Sequence, residues 1–204
     1  MAGPTEISLI LFDLNGVLYR YERDLRIAHL SAVSNRPPDA IKTAIWDSGF
    51  EDTGDTGALD AEAYLQGFGA CIGYALTEPE WVEAQRVAVT PIAATLALLP
   101  RIRSGVLCAV LTNNNLLVRR HFSVLYPEVA AMRSHVSAEF GCRKPDPEVY
   151  RRCLAALGVV PEAALFVDDN AANVAGARAA GLKGCDYGSS EQFATELQTY
   201  GVLN

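Results

Sequence analysis

The chemistry-bearing residues of this 204-residue chain stand where apolar runs stop. Asp13 ends Leu9-Ile10-Leu11-Phe12, Thr112 ends Val106-Leu107-Cys108-Ala109-Val110-Leu111, and the pair Asp168-Asp169 ends Ala164-Leu165-Phe166-Val167. A continuous apolar run closed by a turn signal reads as a strand buried on both faces. In an open parallel sheet the carboxyl ends of such strands lie along one edge, so three carboxylates and a hydroxyl can converge there. Lys144, in Arg143-Lys144-Pro145, falls between two strand–helix units and can reach the same crevice. Only three of the seventeen basic residues are lysines (Lys42, Lys144 and Lys183), so a compact ammonium at this place in an arginine-rich chain suggests a point charge is needed.

Carboxylates gathered from two strands repel one another unless a cation lies between them. An oxygen-lined site with few acidic ligands suits Mg²⁺, which keeps several waters and often shares a substrate phosphate. Asp13 is then poised as a nucleophile toward phosphorus, since an aspartyl-phosphate is a known covalent route. The metal and Lys144 offset the repulsion between carboxylate and phosphate, and Thr112 with the amides after it holds the non-bridging oxygens. The alternative for Asp168-Asp169 is a helix N-cap, which accounts for one of the two and leaves the other.

The elements that must position these groups fall into two kinds. From Tyr19 to about Pro91 the pattern is helical, with little that looks like a strand. It predicts helices over 24–33, from Pro37-Pro38-Asp39 through Trp46, over 60–75, and from a capped start at Thr77-Glu78-Pro79-Glu80, with a polar loop over 51–57. Four helices within about 70 residues suggest a small bundle inserted into another unit. After it come a helix over 92–103, the strand ending at Thr112, a helix from Leu116 and a short strand near 135–137. A helix over 148–157, the strand ending at Asp168, a helix over 172–180 and a last strand near 182–185 complete the series. Strands alternating with helices imply right-handed crossovers and a parallel sheet covered on both faces.

Composition narrows the function classes. A net charge of −7 argues against nucleic acid and anionic membranes, so an anionic substrate must be held by a local cluster or a metal. The amino-terminal residues carry no basic, apolar leader pattern, and no apolar run approaches the ~18 residues of a membrane span. Five cysteines, odd in number and never spaced as C-x-x-C, read as reduced thiols of a cytoplasmic protein. His29, His121 and His135 form no ligand spacing. Trp46, Tyr64, Phe68 and Trp81 at helical spacing read as bundle core before they read as a sugar site. Nothing indicates the oligomeric state.

Phe-Asp-Leu-Asn-Gly-Val-Leu, Leu-Thr-Asn-Asn, Arg-Lys-Pro-Asp-Pro and Phe-Val-Asp-Asp-Asn-Ala-Ala-Asn occur in this order over essentially the whole chain. Together they resemble the haloacid dehalogenase superfamily, closest to its small capped sugar-phosphatase branch, which includes α-glucose-1-phosphatase-like proteins. The resemblance implies an α/β fold: a Rossmann-like parallel-sheet core over 1–18 and 92–204, with a four-helix cap domain over 19–91. It implies a Mg²⁺-dependent phosphate monoester hydrolase acting on a small phosphorylated metabolite, sugar phosphates among them. Asp13 is then the nucleophile, Thr112 and Asn113 cradle phosphate, and Lys144 neutralises charge. Asp13, the backbone carbonyl of Asn15 and Asp169 bind the metal, Asp168 does so directly or through water, and Asn173 supports the ligands from behind. The chain departs from the family at Asn15, where typical phosphatases carry the Asp that protonates the leaving oxygen and later activates water. Two alternatives follow: a 2-haloacid dehalogenase, which needs no metal, and a low-turnover phosphometabolite-binding regulator. Phosphonate cleavage would need a cap lysine, for which Lys42 is the sole candidate.

Overall fold

The computed structural model describes residues 6–203. The chain starts with β1 (Leu9–Phe12) and then β2 (Tyr19–Tyr21), and enters a helical insertion. The insertion holds α1 (Arg23–Ser34), α2 (Pro38–Lys42), a π-helical turn over Thr43–Asp47, α3 (Phe50–Asp55), α4 (Ala61–Ile72) and α5 (Glu78–Arg86). It returns through β3 (Val89–Pro91), followed by α6 (Ala93–Leu96), β4 (Leu107–Thr112), α7 (Leu116–Arg120), α8 (Phe122–Leu125) and β5 (Arg133–Val136). Then come α9 (Pro147–Leu157), β6 (Ala164–Asp168), α10 (Ala171–Ala179), β7 (Lys183–Asp186) and α11 (Ser190–Thr199).

Among the described residues, five strands form one sheet in the order β5-β4-β1-β6-β7, every pairing parallel. β1 is central, with Phe12 level with Val110 on one side and Val167 on the other. The chain builds outward from β1 through β4 to β5, then returns to place β6 on the other side. The order therefore reverses beside β1, the place where open sheets bind ligands. Successive residues of β1 feed opposite faces, as a pleated strand must. Ile10 and Phe12 join one apolar cluster; Leu9 and Leu11 join another with Val149, Tyr150 and Leu154 of α9.

Local chemistry accounts for the helix starts. Thr77 and Glu80 form the reciprocal capping box expected at α5, and the Asp60 carboxylate accepts from Ala63 N–H at 2.8 Å to open α4. Tyr64, Phe68 and Trp81 are fully buried, as the helical spacing predicts, whereas Trp46 is only partly covered. Arg26 is buried among them, its guanidinium 5.3–5.4 Å from the ring centres of Trp46, Phe68 and Trp81.

Four expectations are corrected. The insertion is not purely helical: β2 and β3 form an antiparallel pair at its entry and exit, with Tyr19 opposite Pro91. Three-residue strands are too short for alternation to register, and Pro91 fits because it lies in an edge strand. The polar stretch 51–57 is mostly α3, not a loop. Glu51 and Asp52 occupy its first turn, favourable to the helix dipole, while Phe50 stacks on Tyr64 with ring centres 5.4 Å apart. The helix expected over 92–103 is one α-turn followed by a 3₁₀ turn at Leu99–Arg101, because Pro100 removes a donor and crowds the preceding turn. Finally, the last strand does not close the unit: α11 follows it and buries Phe193 and Leu197, with Phe193 edge-on to Phe12 at 5.8 Å. Among the described residues no helix is long and apolar enough to cross a membrane.

Candidate active site

Asp13 follows β1 directly, and its N–H donates to the Val167 carbonyl at 2.8 Å, which locks the end of β1 to the end of β6. Asp168 is the last residue of β6 and Asp169 follows it. One oxygen from each of Asp13, Asp168 and Asp169 lies within 4.8 Å of the others. Lys144 enters from the segment before α9 and is 3% exposed. Its Nζ stands 2.7 Å from Asp13 Oδ1 and 2.7 Å from Asp168 Oδ2. Asn173, on the first turns of α10, donates to the same Asp168 oxygen at 3.0 Å, and the Asn170 N–H donates to Asp168 Oδ1 at 2.8 Å.

The N-cap of α10 is Asn170, whose side chain accepts from Ala172 N–H at 2.9 Å. The helix start therefore needs neither acidic residue, and the N-cap reading of Asp168-Asp169 falls. Gly16 lets Asp169 approach: its φ of +91° suits glycine, and a Cβ there would overlap the Asp169 carboxylate.

The charges are strongly coupled. Burial pushes the Asp13 carboxyl up to about 7; Lys144 opposes this and the Asp168 charge adds to it. Burial works against the Lys144 ammonium, yet Asp13 and Asp168 outweigh it and hold the pKa above its ordinary value. Asp169 is also raised, by burial first and then by the neighbouring Asp168. Three carboxylates around one ammonium leave the cluster electron-rich, and its hard oxygen donors fit a divalent cation of the Mg²⁺ kind.

Thr112 is buried at the end of β4, and its Oγ1 accepts from the Asn114 side-chain amide at 2.9 Å. That bond uses the hydroxyl as an acceptor and leaves its own hydrogen available to donate. The Asn113 side chain is engaged elsewhere: it donates to the Lys144 carbonyl at 2.9 Å and accepts from the Lys144 N–H at 2.9 Å. Asn113 thus fixes the backbone that carries the ammonium, and only its main chain is left for a bound anion. Asn15 lies just past Asp13 with its side-chain oxygen buried and, among the described residues, without a hydrogen-bond partner. Lys42 is half-exposed near Asp47, at 3.9 Å, away from this cluster.

Sequence reasoning missed Asn114 and Ser137. The Ser137 hydroxyl accepts from Asn114 N–H at 3.1 Å and reaches the Asp55 carbonyl at 2.6 Å, joining the end of β4 to the helical insertion. Asn114 was visible as part of Thr-Asn-Asn-Asn, but Ser137 carried no signal. A crevice of about 190 Å³ opens between sheet and insertion, lined by Asn15, Asn113 and Asn114 on one side and by Arg26, Trp46 and Asp55 among others facing them.

A parallel sheet with an acidic cluster and a lysine at its order reversal defines a class, and the chain belongs to it: the haloacid dehalogenase-like hydrolases, whose family model matches residues 7–181. Among curated proteins it is 43% identical over 86 residues to Phosphatase MT3486 of Mycobacterium tuberculosis, covering 40% of this chain and 38% of that protein. It is 34% identical over 119 residues to a phosphoserine phosphatase of Thermus thermophilus, covering 53% of this chain and 44% of that one. The matched part thus spans about two-fifths of each relative's length. Among solved structures, the HAD family enzyme bt-2542 of Bacteroides thetaiotaomicron superposes with TM-score 0.77 at 19% identity, over 95% of this chain and 99% of that one. Another structure of that enzyme is a complex with magnesium and inorganic phosphate. L-2-haloacid dehalogenase from Xanthobacter autotrophicus, with chloropropionic acid covalently bound, is more distant at TM-score 0.63 and 19% identity, over 97% of this chain and 85% of that one. At these identities the solved structures speak for the fold.

Proposed function

We propose that the protein is a Mg²⁺-dependent phosphate monoester hydrolase acting on a small phosphorylated metabolite through an aspartyl-phosphate on Asp13. The observation that carries this reading is the Lys144 ammonium 2.7 Å from both Asp13 and Asp168, with Asp169 completing a three-carboxylate cluster. Asp13, the backbone carbonyl of Asn15 and Asp169 would hold the metal, with Asp168 acting directly or through water. When bound, Mg²⁺ supplies positive charge that offsets the repulsion between carboxylate and phosphate. Lys144 adds to that charge, while the Thr112 hydroxyl and the main chain of Asn113 bind non-bridging oxygens. An Asp13 carboxylate oxygen attacks phosphorus as the ester P–O bond breaks. Water then attacks the acyl phosphate, releasing inorganic phosphate and restoring Asp13.

In this reading residues 19–91 form a cap domain over a core of 1–18 and 92–204, and the cap chooses the metabolite. Sugar phosphates head the candidates, following the branch the sequence resembles. The five unpaired cysteines support a cytoplasmic setting. Asn173 holds Asp168 and so sets the metal site from behind.

Turnover of an aryl phosphate is expected to need Mg²⁺, to vanish with chelator, and to be abolished in Asp13→Asn. Beryllofluoride is expected to form its adduct on Asp13. An active Asp13→Asn protein, or equal activity on 2-chloropropionate without metal, would remove the mechanism. Asn15 supports one other reading, a phosphometabolite-binding regulator: tight binding of a metabolite with no turnover of any phosphate would favour it.

A further inference from the structure

We infer that Asp55 is the proton donor to the leaving oxygen, the role that the amide of Asn15 cannot fill. The inference rests on the phosphatase reading above and concerns the same crevice. Asp55 is the last residue of α3 and lines that crevice together with Asn15, Asn113 and Asn114. Its main chain is fixed to the phosphate-facing edge of the sheet. Ser137 donates to the Asp55 carbonyl at 2.6 Å and accepts from Asn114 N–H at 3.1 Å, and Asn114 in turn holds Thr112 at 2.9 Å. Two side chains thus link Asp55 to Thr112.

Three acidic residues of α3 line the crevice, and two of them are committed. Glu51 takes the Arg26 guanidinium at 2.7 Å and the Tyr64 hydroxyl at 2.9 Å. Asp52 takes the Arg143 guanidinium at 2.8 Å. Among the described residues, no hydrogen bond or ion pair reaches the Asp55 carboxylate. Burial pushes that carboxyl up to about 8, the Glu51 charge adds to it, Arg143 and Arg26 oppose it, and Asp52 raises it further. The charged residues of the other segments packed on α3 are engaged away from it: Glu139 with Arg119 at 3.2 Å, and Asp47 near Lys42 at 3.9 Å. Burial therefore favours the protonated Asp55 carboxyl, the form a general acid needs.

The step balances. As the Asp13 oxygen bonds to phosphorus and the ester P–O bond breaks, the Asp55 O–H gives its proton to the departing oxygen, which leaves as an alcohol. The resulting Asp55 carboxylate then takes a proton from the water that attacks the acyl phosphate. Inorganic phosphate leaves, and both carboxyl groups return to their starting states.

Steady-state rates with Mg²⁺, on an alkyl phosphate and an aryl phosphate, test this in wild type, Asp55→Asn and Asn15→Asp/Asp55→Asn. Asp55→Asn is expected to lose about 10²–10⁴-fold in kcat on the alkyl ester and far less on the aryl ester, whose leaving group needs no proton. The fall in the wild-type alkyl rate above about pH 8 is expected to disappear with it. Adding Asn15→Asp to Asp55→Asn is expected to restore much of the alkyl rate with little change on the aryl ester, whereas a merely structural loss at Asp55 would depress both esters and leave the aryl rate low. An unchanged ratio of alkyl to aryl rates in a folded Asp55→Asn protein overturns the assignment while leaving the phosphatase reading intact. A wild type inactive on the aryl ester overturns the phosphatase reading itself, and this assignment with it.

Discussion

Lys144 is the residue on which the others depend. It is one ammonium shared by two carboxylates, and all three side chains are nearly or wholly removed from water. Such a cluster is poor evidence of stabilisation, because desolvating three charges costs about as much as their attraction returns. Its retention makes sense as chemistry: it keeps Asp13 in place and tempers the repulsion from Asp168. Removing the cation alone is different, since it leaves two buried carboxylates facing each other. Lys144→Met is expected to cost about 3–5 kcal/mol, a Tm drop on the order of 10 °C for a chain of this size, with loss of aryl phosphate turnover. Asp13→Asn, which removes a charge that burial already disfavours, is expected to melt near wild type. Thermal melts of the two variants side by side check the contrast, and equal drops would contradict it.

At the scale of elements, the loop carrying Lys144 is held from two sides. The Asn113 side chain clamps the Lys144 main chain from β4. α10 presses from the other side, so close that a Cβ on Gly176 would overlap the Pro145 carbonyl. Gly176→Ala must therefore move backbone, not just a side chain. The expected result is about 1–3 kcal/mol of destabilisation together with reduced kcat, because Lys144 shifts with Pro145. A full-rate Gly176→Ala protein with unchanged Tm would show that the contact is slack. The same elements show what the sequence could reveal. β1, β4 and β6 were legible because strands buried on both faces are written as unbroken apolar runs ending in Asp or Thr. α5 was legible from its capping box. β2, β3 and α3 were not, because three residues carry no period and α3 owes its form to distant partners of Phe50 and Glu51. The acidic cluster and Lys144 could be read from strand ends and composition. The Asn113 clamp could not, because a side chain bonded to another segment's main chain leaves no local pattern.

For the whole molecule, charge separates two ways in which a cation can act. The chain carries a net charge of −7, so any salt relieves some general repulsion. The cluster of Asp13, Asp168 and Asp169 offers something narrower, a set of oxygens within 4.8 Å of one another that one Mg²⁺ can bridge. A ligand that binds only the folded state stabilises it by about 2.7 kcal/mol at a hundred times its Kd. For a chain of this length that is a Tm rise of about 5–10 °C. Screening produces a gradual drift with ionic strength, whereas site binding produces a saturable shift at low millimolar Mg²⁺. Melting in Mg²⁺, in NaCl of matched ionic strength, and with Asp169→Asn distinguishes them. Asp169 is the informative position because it is the exposed member of the cluster and makes no contact with Lys144, so its substitution leaves the buried ammonium with both partners. The expected result is a saturable Mg²⁺ shift that NaCl does not reproduce and Asp169→Asn removes. A shift matched by NaCl, or intact without the Asp169 carboxylate, would mean that the strand-end carboxylates do not act together as a metal site.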